Sequence, residues 1–122
     1  AGLEKYFLIT GWVDNPLDYM GCFDVAALFS RWEGFGLVLP EYMLMKKPIV
    51  ATKTDAIPYV VGDAGILIKV DDNKSAAKAI VELYEDKEFR SQIIAKGNER
   101  VKMFDAQRMA DETIALIDFL TK

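Results

Sequence analysis

The stretch SRWEGFGLVLPEYMLMKKP, residues 30–48, decides how this chain folds. It begins where an apolar run ends (VAALF, Val25 to Phe29), passes through Glu33-Gly34-Phe35-Gly36, and continues as an apolar helical pattern that carries Glu41. A strand running into a glycine loop and then a helix leaves free N–H groups and partial positive charge where the helix starts. Glycines let backbone approach a ligand without a Cβ in the way. Pro40 lacks an N–H and is tolerated in a first turn, so the helix begins at or shortly before it. Two carboxylates frame the turn: Glu33 in the loop and Glu41 inside the helix. Carboxylates accept hydrogen bonds from hydroxyls, as on a sugar or a ribose. The local chemistry therefore suits a ligand with an anionic middle and hydroxylated groups on either side. The same residues also read as surface glutamates on an ordinary βα unit, since a lone glycine loop has low specificity.

Working outward, Tyr6 to Thr10 (YFLIT) reads as a buried strand ending at Gly11. Trp12-Val13-Asp14-Asn15-Pro16 is a loop, with Asp14 or Asn15 able to cap a short helix from Leu17 to Gly21. Val25 to Phe29 is the second strand, Leu37 to Lys46 the helix of the central stretch, and Pro48 to Thr52 (PIVAT) the third strand. Thr52 to Gly65 is punctuated by Pro58, Gly62 and Gly65 and reads as loop-rich. Gly65 to Val70 (GILIKV) is a fourth strand, and Asp71-Asp72-Asn73 a turn and helix cap. Helical periodicity follows in Lys74–Glu85, in the stripe Phe89, Ile93, Gly97, Val101, Phe104, and, after a cap at Asp105, in Met109, Thr113, Leu116, Ile117 and Leu120. These stripes are read as packing faces. Strands alternating with helices predict an α/β fold with a parallel sheet of about four strands, Rossmann-like. Ligands of such sheets bind beyond the carboxyl ends of the strands, where Glu33–Gly36 lies.

Composition sets the outer bounds. The 122 residues carry a formal charge of −4 and 52% hydrophobic residues, which suits one folded domain and argues against nucleic acid or an anionic membrane as the main partner. Histidine is absent, which excludes histidine-dependent triads and histidine metal sites. The lone Cys22 forms no internal disulfide, fits a reducing compartment, and reads as a small buried hydrophobe. No apolar run approaches a membrane span.

SRWEGFGLVLPE resembles the E-x7-E signature of retaining glycosyltransferases of family 4, also called glycosyltransferase group 1, which have the GT-B fold of two Rossmann-like domains. FLITGWVDN, KKPIVATKTDAIPYVVGDAGILI and the helices from Asp71 to Phe104 are similar to the flanking pieces of that family in the same order. The resemblance implies that residues 1–122 form a partial, donor-binding C-terminal domain, begun after the family's phosphate-binding arginine and lysine and without the N-terminal acceptor domain. The whole enzyme would move a sugar from a nucleoside diphosphate sugar (UDP-, GDP- or ADP-linked) to a hydroxyl on a sugar, glycan or lipid-linked acceptor, with retention of configuration. No cofactor and no metal are implied. The fragment alone would be inactive, and the full enzyme cytoplasmic or peripheral at the inner membrane face.

By the same resemblance, Glu33 contacts the donor sugar, the backbone of Gly34, Phe35, Gly36 and Leu37 faces sugar and diphosphate, Glu41 holds the ribose, and Trp12–Val13 lies near the base. Read from the residues alone, Trp12 is as well a packing residue. The chain departs from the family where Asp55-Ala56 replace a glycine pair, Tyr59 a glutamate, and Lys46-Lys47 a small-glycine turn. Asp55 adds negative charge near a diphosphate site and is expected to turn outward. The family's first two strands lie between those matching Tyr6–Thr10 and Val25–Phe29, so either these two pair directly or an open sheet edge invites another chain. The alternative reading from another class is a non-catalytic nucleotide-binding or interaction module that pairs with a partner chain.

Overall fold

The computed structural model describes residues 2–122. After a 3-10 turn at Glu4–Tyr6, the order is α1 (Pro16–Gly21), β1 (Ala26–Leu28), α2 (Val38–Leu44), β2 (Ile49–Thr52), α3 (Ile57–Val61), β3 (Ile66–Ile68), α4 (Asn73–Glu85), α5 (Lys87–Arg100), a 3-10 turn at Val101–Phe104, and α6 (Ala106–Thr121). The three strands form one parallel sheet in the order β1-β2-β3. Ala26 pairs with Ile49 at one end, and Thr52 with Ile68 at the other.

The central strand β2 is buried along its whole length. That is why PIVAT reads as a continuous apolar run rather than an alternating one. Its side chains divide between the two faces by the pleat. Ile49 and Ala51 join Leu39, Met43, Ile57 and Val60 on the face covered by α2 and α3. Val50 joins Ile68, Ala76, Ala79, Leu83 and Ile93 on the face covered by α4 and α5. Helix α5 also reaches α2, where the buried Gly97 faces Met43; a Cβ there would lie 3.5 Å from Met43 Cγ, an ordinary packing distance. Asp72, Asp86 and Asp105 each cap the helix that follows them by accepting backbone N–H bonds.

At the level of elements and their burial, the structure corrects four sequence expectations. The sheet has three strands, because Tyr6–Thr10 forms none. A strand is stable only when its N–H and C=O groups have a ladder to join. Among the described residues this segment meets no strand partner, and Phe7, Leu8 and Ile9 stay exposed, Ile9 at 92%. Of the two alternatives, direct pairing of Tyr6–Thr10 with Val25–Phe29 is not realised, and one edge of β1 is open among the described residues. Second, the segment read as loop-rich after Thr52 contains α3, which begins with Pro58 in its first turn and buries Ile57, Val60 and Val61. Third, the apolar stripe of α6 buries no residue; the helix leans chiefly on the 3-10 turn before it. Fourth, Cys22 is exposed, because α1 is anchored through Met20 alone and Cys22 follows on its outer side.

Candidate functional site

Ser30 to Leu37 leaves the carboxyl end of β1 and enters α2. The loop is tied to the neighbouring strand ends residue by residue. Thr52 Oγ1 donates to the Ser30 carbonyl at 2.6 Å, and Thr54 Oγ1 to the Arg31 carbonyl at 3.2 Å. The Arg31 guanidinium donates to Asp71 Oδ1 at 3.1 and 3.0 Å, reaching the turn after β3. Both partners of that pair are largely exposed, so it orients the loop more than it stabilises the fold. Side chains at the ends of β2 and β3 therefore converge on the loop that leaves β1, at the position where parallel sheets hold ligands.

Glu33 is half-buried, and its carboxylate accepts from Ser30 Oγ at 3.0 Å. Its backbone N–H donates to Asp55 Oδ2 at 2.7 Å. Asp55 does not turn outward as expected; it takes a positive φ of 48° and faces the motif loop. The aspartate carboxylate finds in the Glu33 N–H a donor that solvent would otherwise serve, and aspartate tolerates the left-handed region better than most residues.

The two glycines have different duties. Gly36 is buried with φ of +76°, and a Cβ there would come within 3.1 Å of Leu39 Cδ1. Its carbonyl accepts the Leu39 N–H at 2.9 Å and opens α2. A Cβ on Gly34 would meet nothing within 4 Å, so its side faces open space. Phe35 anchors the loop: its ring meets Phe104 edge-on at 5.4 Å. Among the described residues, none of the backbone N–H groups of Gly34, Phe35, Gly36 and Leu37 donates to a protein acceptor. Backbone donors are seldom left without partner or solvent, so this row is available to a ligand or to water.

Glu41 is exposed in the first turn of α2. It lines a groove of about 380 Å³ with Asp14 to Asp18, Leu44 and Met45. Three carboxylates, Asp14, Asp18 and Glu41, open into that groove, which suits hydroxyl donors and not an anion. The segment that follows Trp12–Val13 is thus brought beside Glu41. Trp12 itself is 94% exposed and packs on nothing among the described residues, while Val13 is half-buried. The packing reading of Trp12 is not met. Next to Glu41, burial pushes the Tyr42 hydroxyl's pKa up, with the Glu41 charge adding to the effect. No group of three or more His, Cys, Asp or Glu among the described residues is placed to hold a metal. No helix among them is long and apolar enough to cross a membrane.

Sequence reasoning missed the ties from Thr52, Thr54 and Asp55. Their only local signal is a polar run after an apolar strand, and the partners lie 22 to 23 residues away.

Comparisons with known proteins bear on the family and the fold. The chain is 30% identical over 113 residues to N-acetyl-alpha-D-glucosaminyl L-malate synthase of Bacillus anthracis, covering 90% of this chain and 30% of that protein. The chain therefore spans about a third of the length of such relatives. Sucrose-phosphate synthase from Thermosynechococcus elongatus superposes with a TM-score of 0.83 at 24% identity, over 98% of this chain and 32% of that one. S. aureus TarM, solved with fondaparinux, alpha-GlcNAc-glycerol and UDP, superposes with a TM-score of 0.82 at 22% identity, over 93% of this chain and 24% of that one. The last two show the fold alone, an α/β arrangement shared with GT-B glycosyltransferases. The family model described as "Glycosyl transferases group 1" matches residues 1–86, and the chain belongs to that glycosyltransferase family.

Proposed function

We propose that this chain supplies the donor side of a glycosyltransferase that moves a sugar from a nucleoside diphosphate sugar to a hydroxyl acceptor with retention of configuration. The observation that carries the reading is the row of unpaired backbone N–H groups from Gly34 to Leu37, bracketed by the carboxylates of Glu33 and Glu41. The N–H row offers donors to the anionic diphosphate and to the sugar beside it. Glu33 accepts from the donor sugar's hydroxyls, and Glu41 from the ribose hydroxyls. Trp12–Val13 lies on the base side, through its continuity with the Asp14–Asp18 wall of the Glu41 groove.

Charge develops on the diphosphate as the sugar–phosphate bond breaks. Preorganised donors aimed at that charge lower the barrier because they need no reorganisation. The backbone row would act in this way and needs no metal. Family membership and a structural neighbour solved with UDP support a nucleotide-linked donor. The acceptor would be held by parts of the enzyme outside this chain.

The test is a calorimetric titration with UDP, GDP and ADP. One nucleotide is expected to bind saturably, and Glu41→Ala to weaken it by about 1–3 kcal/mol, the worth of a hydrogen bond to a charged group. Unchanged affinity in that variant would overturn the role of Glu41. A second reading, an interaction module that pairs with another chain, is favoured by the open edge of β1 and the exposed Phe7–Ile9 segment. Failure of all three nucleotides to bind at millimolar concentration would favour it.

A further inference from the structure

Asp55 lies between β2 and α3, 22 residues from Glu33. It is one of three non-glycine residues with positive φ among those described, at 48°. Asp71 (φ 64°) uses its carboxylate on Arg31, whereas Lys46 (φ 57°) closes a helix. The conformation at Asp55 brings its carboxylate to the Glu33 N–H at 2.7 Å, a short, charge-assisted contact. Segment 52–55 makes three hydrogen bonds to the motif loop. The threonine bonds hold the carbonyls of Ser30 and Arg31; only the Asp55 bond acts on Glu33 and carries a charge.

That bond fixes the peptide plane preceding the Glu33 Cα, and with it the direction in which the side chain leaves the backbone. The Ser30 hydroxyl then takes one carboxylate oxygen, Oε2. The other oxygen is left to accept from something outside the loop. Two restraints from opposite sides, on the backbone and on the head group, hold a side chain that would otherwise sample several rotamers.

We propose that Asp55 is a positioning residue for Glu33: its carboxylate holds the Glu33 amide and so aims the Glu33 carboxylate at the sugar of a bound nucleoside diphosphate sugar. The proposal rests on the donor-site reading above. It assigns Asp55 to sugar discrimination and not to the diphosphate, whose donors are the N–H groups from Gly34 onward. A hydroxyl-accepting carboxylate discriminates only if it is held in place, because a loose one loses in rotamer entropy what it gains in contact.

The experiment compares each nucleoside diphosphate with its sugar-bearing form: UDP with UDP-glucose, GDP with GDP-mannose, ADP with ADP-glucose. Wild type, Glu33→Ala, Asp55→Gly, Asp55→Asn and Asp55→Gly with Glu33→Ala are titrated calorimetrically. Glycine is the removal variant because it accepts the positive φ without strain. Asparagine keeps an acceptor oxygen and tolerates the left-handed region. Expected is a loss of about fivefold to tenfold in the preference for the sugar-bearing ligand over the bare diphosphate in Asp55→Gly. Asp55→Asn should recover most of it, and Asp55→Gly should add nothing once Glu33 is alanine.

An equal loss for both ligands, or full additivity with Glu33→Ala, would show a merely structural tie and overturn the proposal. Amide exchange supplies a ligand-free arm: the Glu33 N–H should exchange faster in Asp55→Gly than in wild type and Asp55→Asn, and equal rates would also overturn it. If instead Glu33→Ala leaves the preference for the sugar-bearing ligand intact, the donor-site role of Glu33 fails, and the aiming role of Asp55 fails with it. If Glu33→Ala behaves as read while Asp55→Gly does not, the Asp55 proposal alone fails.

Discussion

Lys46 ends α2 in the left-handed region with φ of 57°, and its N–H and that of Lys47 return to the carbonyls of Met43 and Tyr42 at 3.0 and 2.9 Å. This is the position where a helix favours glycine, because a Cβ costs about 1–2 kcal/mol in that conformation. The Lys46 side chain is exposed and, among the described residues, makes no hydrogen bond or ion pair that would offset it. Lys46→Gly is expected to raise stability by about 1 kcal/mol, read as a higher urea midpoint with unchanged slope. An unchanged or lower midpoint would count against the strain argument. Tyr42 makes a second prediction at this scale. Its pKa is raised, by burial first and by Glu41 second. Above the ordinary tyrosine range, near pH 10, the unfolded chain loses this proton while the folded chain keeps it. The folded state then binds more protons, so stability falls as pH rises through that window. Below it the term is fully present. Tyr42→Phe should therefore show a shallower loss of stability above about pH 10 than wild type; parallel alkaline limbs would contradict this.

At the scale of elements, Gly65 is where β3 and α3 meet β2. A Cβ on it would lie 2.9 Å from the Ile49 carbonyl and 2.9 Å from Val61 Cγ1. A ladder carbonyl cannot give way as a flexible side chain can. Gly65→Ala is therefore expected to destabilise the fold by about 1–3 kcal/mol, the range for overpacking, measured by denaturant unfolding. Wild-type stability would show that the sheet accommodates the methyl group. Gly62 contrasts with it: the nearest atoms are the guanidinium of Arg100, which itself closes α3 by donating to the carbonyls of Tyr59 and Val60. Arg100 thus joins the end of α5 to the end of α3. Through Phe104, packed on both Phe35 and Tyr59, the turn after α5 also supports the motif loop. The loop is held from the strand side by polar ties and from the helix side by aromatic ones.

At the scale of the whole molecule, the buried region is narrow and the periphery is apolar. The sheet is covered on both faces, yet Phe7–Ile9, Trp12 and the apolar stripe of α6 remain open to solvent. Exposed apolar surface and an open sheet edge each favour association. Light scattering is expected to show a species larger than one chain as concentration rises. Phe7→Asp with Ile9→Asp should reduce it while leaving the unfolding midpoint unchanged, since both side chains are exposed. A strictly monomeric wild type at millimolar concentration would rule this out.

How much was legible in the sequence follows from the range of the forces involved. The short-range signals hold. PIVAT, flanked by proline and bounded by polar residues, is the central strand, and the aspartates at 72 and 105 cap the helices they precede. The E-x7-E pattern places one carboxylate in the loop and one in the first turn of α2. These depend on residues within a turn or two of one another, so the order of letters carries them. Whether YFLIT becomes a strand, whether the α6 stripe is covered, and where Asp55 points depend on what lies beside them in space. Tyr6–Thr10 has the composition of a strand and no ladder to join. The α6 stripe has the period of a packing face and little to pack on. Asp55 lies beside Glu33 because β1 and β2 are neighbours in the sheet, a fact of tertiary pairing that no local pattern records. The sequence alone determined the α/β class, the helix caps and the candidate carboxylates, through local hydrogen bonding and periodic burial. The tertiary structure alone decided the number of strands, the exposed faces and the ties on the loop, because each needs a partner distant in the chain.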